Sequence, residues 1–104
     1  MNQDIDLATF IRYPVDGDLI TVPGVNLENK TILMDRGIVS TYQLIGQFLI
    51  FCGKEIDPYQ ISERFHAWLQ KMGIETNVNL IVSSVSEKVG SWIPGTYCKD
   101  FVIL

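Results

Sequence analysis

Histidine occurs once and cysteine twice in this 104-residue sequence. That leaves no His/Cys cluster to hold a metal and too few sulfurs for a disulfide framework, so no metal, no cofactor and a reducing intracellular compartment are expected. Long apolar runs are also missing. The longest, Leu44–Cys52, is short and broken by Gly46 and Gln47, so no membrane-spanning helix is expected. Residues Met1–Asp4 lack the basic start of a signal peptide. Basic residues are scarce as well: 8 Lys and Arg face 12 Asp and Glu, for a net charge of −4. The imbalance lies before Arg36, where Asp4, Asp6, Asp16, Asp18, Glu28 and Asp35 meet only Arg12 and Lys30. Affinity for duplex DNA comes largely from neutralising phosphates, and this chain's net field opposes it.

Apolar residues, by contrast, are plentiful at 47%, enough for one domain with its own core and too many for disorder. Their spacing predicts five helices. Asp4 caps the first, over Ile5–Tyr13, which Pro14 ends. Asn26 caps a second over Leu27–Arg36, closed by Gly37. Ser40 or Thr41 caps a third over Tyr42–Phe51, so apolar all round that it reads as the central helix. Asp57-Pro58 opens a fourth that runs to Met72 and Gly73. Asn77 caps a fifth from Val78 to about Val89, with Ser83, Ser84, Glu87 and Lys88 on its outer side. Its β-branched residues make a strand the alternative. The expected organisation is an all-α domain over residues 1–90 and an irregular tail over 91–104.

One stretch carries a motif. Ile20-Thr-Val-Pro-Gly-Val-Asn-Leu followed by a helix, Gly37-Ile38 and a further helix has the pattern of a helix–hairpin–helix. Backbone amides at such a hairpin, beside the positive end of a helix, can hold a phosphate. Gly24, Val25 and Asn26 are the candidate amides, with Lys30 and Arg36 as candidate cations. Asn26 stands where a second glycine is common, and Asn tolerates positive φ better than most residues. The competing reading is a hairpin that only sets the angle between two helices.

Phe10 and Pro14, Pro23-Gly24-Val25, Arg36-Gly37-Ile38, Tyr42 and Leu44-Ile-Gly-Gln-Phe-Leu-Ile-Phe51 together resemble the barrier-to-autointegration factor family, as do Phe65 and Trp68-Leu69 further on. The resemblance implies a small five-helix domain with an embedded helix–hairpin–helix. It also implies homodimers that bridge double-stranded DNA without sequence preference and contact nuclear-envelope proteins. The chain departs from that pattern in extra residues between Phe51 and Ile61 and in a longer tail after Val89. Thr31 and Ile32 occupy positions where the family is basic, and Asp4 and Asp6 stand in its basic N-terminal segment. These departures keep the fold and weaken the DNA grip.

For catalysis the sequence offers only His66, with Glu63 three positions back and no nucleophile nominated beside it, so no enzyme is expected. Cys52 reads as a small core residue; a bond to Cys98 has no support in the spacing. The tail is more informative. Trp92 and Tyr97 precede Phe101-Val102-Ile103-Leu104, an apolar end that either folds back or docks in a partner. The leading expectation is a non-catalytic structural or adaptor protein docked in a larger assembly, a cytoskeletal one being conceivable. The tail, the Gly53–Asp57 loop and the acidic N-terminal third would be its surfaces. The alternative is a DNA-bridging homodimer, with a nuclear setting in place of the cytoplasm.

Overall fold

A computed structural model describes residues 7–103. Its elements are α1 (Leu7–Arg12), a 3-10 turn (Leu19–Thr21), α2 (Leu27–Asp35), α3 (Thr41–Ile50), α4 (Pro58–Met72) and α5 (Val78–Trp92). No strand occurs among the described residues, so the all-helical expectation holds and the strand alternative over 78–89 does not. Asp4 and the expected first two residues of α1 lie outside the described residues.

The helix boundaries follow from local hydrogen bonding. The side chains of Asn26, Ser40 and Asp57 each accept the amide three residues on, at 2.7, 3.2 and 2.8 Å. At Asp57 the Gln60 side chain also reaches back to the cap amide, completing a capping box. Gly37 and Gly73 end α2 and α4 with φ of +91° and +107°. In both, the next amide bonds back across the last turn, Ile38 to Leu33 and Ile74 to Leu69.

Two boundaries differ from the sequence reading. Asn77 does not cap α5 with its side chain; it sits at φ +61° and its amide donates to the Gly24 carbonyl instead. Gly90 does not end α5. A Cβ there would fall 2.7 Å from Cβ of Tyr97, so the glycine lets the tail press against a helix that continues to Trp92. Pro94 stops it by holding Ile93 in an extended conformation.

The central element is α5 rather than α3. It packs against α1, α3 and α4, and Ile81, Val82, Val85 and Val89 are fully buried. α3 packs on α4: Leu44, Ile45 and Phe48 share one buried cluster with Ile61, Phe65 and Leu69, with the Phe48 and Phe65 rings edge to face at 5.3 Å. The opposite side of α3 stays open, with Tyr42 and Ile50 among the most exposed large apolar residues. Ser84 and Lys88, expected outside, are buried. Ser84 donates to Leu80 at 2.6 Å. Lys88 donates to the carbonyls of Phe10, Ile11 and Tyr13, which lie at the C-terminal end of α1, where a cation is favoured.

The tail folds back. Phe101 is buried against Tyr59 and His66 of α4, and Ile103 is held by Asn79 of α5. The boundary at residue 90 therefore falls inside a helix, and the tail is part of the domain's packing.

Candidate functional site

The first candidate is the hairpin before α2. Val25 donates to Val22 at 3.0 Å and Gly24 has φ +96°, which with Pro23 ahead of it is the arrangement of a type II turn. The turn is pressed into the molecule: a Cβ on Gly24 would lie 2.8 Å from Cγ1 of Ile81. Its carbonyl accepts from Asn29 and Asn77 at 3.1 and 3.2 Å, and Asn29 also reaches the Thr76 carbonyl. Asn26 takes an ordinary extended conformation, φ −88°, so the positive φ considered for it is not used.

Of the three candidate amides, that of Val25 is taken by the turn, and two amides of the first turn of α2 are taken by Asn26. The Val25 amide is internal, the Asn29 amide goes to the Asn26 side chain and the Lys30 amide to the Asn26 carbonyl. Glu28 places a negative charge in the first turn of α2. Lys30 is paired: its ammonium lies 3.0 Å from the Asp18 carboxylate. Asp18 also accepts from the Ile20 amide, and that bond, followed by the one from Lys30, holds its carboxyl below the usual range. Arg36 stands at the far end of α2, about 15 Å from Asn26 along the axis at 1.5 Å per residue. Gly24, Val25, Asn26 and Lys30 lie together, with Lys30 paired to Asp18; Arg36 is not among them.

The tail residues do not form one surface either. Phe101 is buried and Ile103 half-buried, Tyr97 rests on Gly90, Val102 is exposed, and Leu104 lies outside the described residues. Trp92 belongs to a different place. It borders a groove of about 580 Å³ between the chain after α1, the open side of α3 and the end of α5.

That groove is the strongest candidate. Ile11, Pro14 and Val15 form one wall, Tyr42, Ile45 and Leu49 another, and Trp92 closes the end, with Tyr13, Arg12 and Lys88 also lining it. Gly46 borders it, and among the described residues nothing beyond its chain neighbours and the backbone of its own helix stands within 4 Å of the position a Cβ would take. The walls are fixed by the backbone: the Tyr42 hydroxyl donates to the Val15 carbonyl at 3.2 Å, and the Thr41 amide to the Gly17 carbonyl at 2.9 Å. Lys88 is anchored beneath, 5.5 Å from the Phe10 ring and 5.7 Å from the Trp92 ring. No residue of the Gly53–Asp57 loop borders the groove. Sequence reading missed this site because it assigned the apolar surplus of α3 to the core. The signal was the spacing Tyr42, Gly46, Leu49, one helical face with a gap in its middle.

His66 is buried beside Phe101 in a polar recess with Gln70, Glu75, Asn77 and Asn79. Burial lowers its pKa, and the Gln70 side chain partly counters that. Cys52 and Cys98 are half-buried free thiols, and burial pushes the Cys52 thiol up. Among the described residues, no group of His, Cys, Asp and Glu could hold a metal, and no helix is long and apolar enough to cross a membrane.

No protein-family model, curated protein or solved structure matches the chain.

Proposed function

We propose that this is a non-catalytic structural or adaptor protein whose five-helix domain docks in a protein assembly through the groove over α3, a second copy of the chain being its first occupant. The observation that carries this reading is the groove itself: Tyr13, Tyr42, Leu49 and Trp92, all exposed, surround a glycine floor. Contiguous apolar surface of this kind marks interaction sites on proteins. A two-fold pairing brings the same patch of each copy together. Here the patch has both a cleft and raised aromatic rims, so a rim side chain of each copy enters the cleft of the other, and Gly46 leaves the floor of that cleft open to receive it. Homodimers are also what the resemblance to the barrier-to-autointegration factor family implies.

DNA bridging has less behind it. Lys30 is paired with Asp18, and Arg36 is remote from the turn. Sedimentation velocity over a wide concentration range tests the proposed pairing: a mass that climbs from one chain to two supports it, and a one-chain mass throughout refutes it.

A further inference from the structure

A second surface, sharing no residue with the α3 groove, lies where the tail meets α4 and α5. Residues 101–103 alternate in, out, in: Phe101 is buried, Val102 exposed and Ile103 half-buried. That is the period of an extended strand. The Phe101 ring sits 5.1 Å from the Tyr59 ring and 6.0 Å from the His66 ring, edge to face with both. Two residues on, the Asn79 side chain treats Ile103 as a neighbouring strand would. Its amide donates to the Ile103 carbonyl at 2.6 Å, and its carbonyl accepts the Ile103 amide at 3.1 Å.

This is recognition of a peptide rather than of particular flanking side chains. One ring pocket, one aliphatic contact and one pair of main-chain hydrogen bonds define it, as in other extended-peptide sites. Lys99, Asp100 and Val102 are exposed, so the strap is held by few groups. It leaves α5 through Gly95, whose φ is +91° with open space around it.

We infer that the α4–α5 groove is a peptide-docking site for extended segments of the pattern aromatic-x-aliphatic, and that the chain's own residues Phe101–Ile103 occupy it in cis. A partner protein presenting the same pattern displaces the strap. Because a tethered ligand competes at high effective concentration, an added peptide binds the intact chain weakly and binds a strap-weakened chain tightly.

The test uses a fluorescent peptide with the sequence of residues 99–104, titrated into the full chain and into its Phe101→Ala variant. Anisotropy is expected to show binding at least about tenfold tighter to Phe101→Ala, since relief of the competition scales with the fraction of open groove. A peptide with its Phe replaced by Ala is expected not to bind. Adding Asn79→Ala to the variant is expected to abolish binding. Should circular dichroism show Phe101→Ala unfolded, Ile103→Ser in the full chain takes its place. Absence of peptide binding to the folded strap variant overturns the inference, as does binding that Asn79→Ala leaves unchanged.

Discussion

The ammonium of Lys88 lies 2.8 Å from the Phe10 carbonyl oxygen, joining the C-terminal part of the central helix to the end of the first. The Ile11 and Tyr13 carbonyls accept from the same group. An ammonium has three donors, and all three are used. Among the described residues no carboxylate takes part; the partners are carbonyls that a helix end leaves without intrahelical donors. This one side chain fixes the wall of the groove formed by residues 11–15 against α5.

Lys88→Met keeps much of the stem and removes the donors. It is expected to lower stability by about 2–3 kcal/mol, since it strips the hydrogen bonds of a charged donor from partly buried carbonyls. Urea unfolding followed by circular dichroism measures it. A change within about 0.5 kcal/mol, the range of ordinary surface substitutions, would show that the contact is incidental.

At Gly24 an alanine must adopt φ +96° and set its Cβ 2.8 Å from the Ile81 side chain. A loss of about 2–3 kcal/mol is expected from the combined backbone strain and overpacking. Gly37→Ala, at a positive φ but with nothing within 4 Å, meets only the backbone part and is expected to lose less. Equal losses in thermal melts of the two variants would contradict the packing of the turn against α5.

Most helix boundaries were legible in the sequence because caps are local. Asn26, Ser40 and Asp57 each carry the oxygen that the third amide onward needs, and Gly37 and Gly73 the backbone freedom of a stop. Tertiary partners decided the rest. Gly90 resembles a stop until Tyr97 arrives to use its missing side chain, and Asn77 resembles a cap until Gly24 claims its amide. Lys88 looked like a solvent-facing residue because nothing in a sequence shows where the carbonyls at another helix's end will lie. Lys30 and Arg36 read as a pair of cations because nothing in the sequence shows that Asp18, twelve residues before Lys30, comes within 3.0 Å of its ammonium. The apolar ring around α3 was visible from the start; whether its second face meets core or solvent depends on which helix takes the centre.

Acid is expected to loosen the α4–tail contact. Burial holds the His66 imidazole below its ordinary pKa of 6.5, so the unfolded chain binds a proton more readily than the folded one. The stability contributed is complete above about pH 6.5 and is lost as the pH falls from there through the lower folded value. His66→Gln is expected to flatten the change in melting temperature between about pH 7 and 5, the span over which histidine titrates. An unchanged slope in that variant would show that His66 does not carry the acid sensitivity.

Duplex DNA is expected to bind weakly or not at all in anisotropy measurements between about 50 and 200 mM salt, with little dependence on salt. Asp18→Ala frees Lys30 and is expected to raise any residual binding. Tight binding that falls steeply with salt and drops further on Lys30→Ala would return DNA bridging to first place.

Self-association through the α3 groove is the central claim, and Gly46→Arg tests it most directly. Among the described residues nothing beyond its chain neighbours and its own helix backbone lies within 4 Å of the Cβ position at Gly46, and replacing a mid-helix glycine favours the helix by about 0.5–1 kcal/mol, so the variant is expected to fold at least as well as the parent. Its long charged side chain nevertheless fills the groove floor. Sedimentation equilibrium is expected to give a reversible dimer for the parent chain and a monomer for Gly46→Arg, with matching circular dichroism spectra. A monomeric parent, or a dimer that survives Gly46→Arg, would contradict the account.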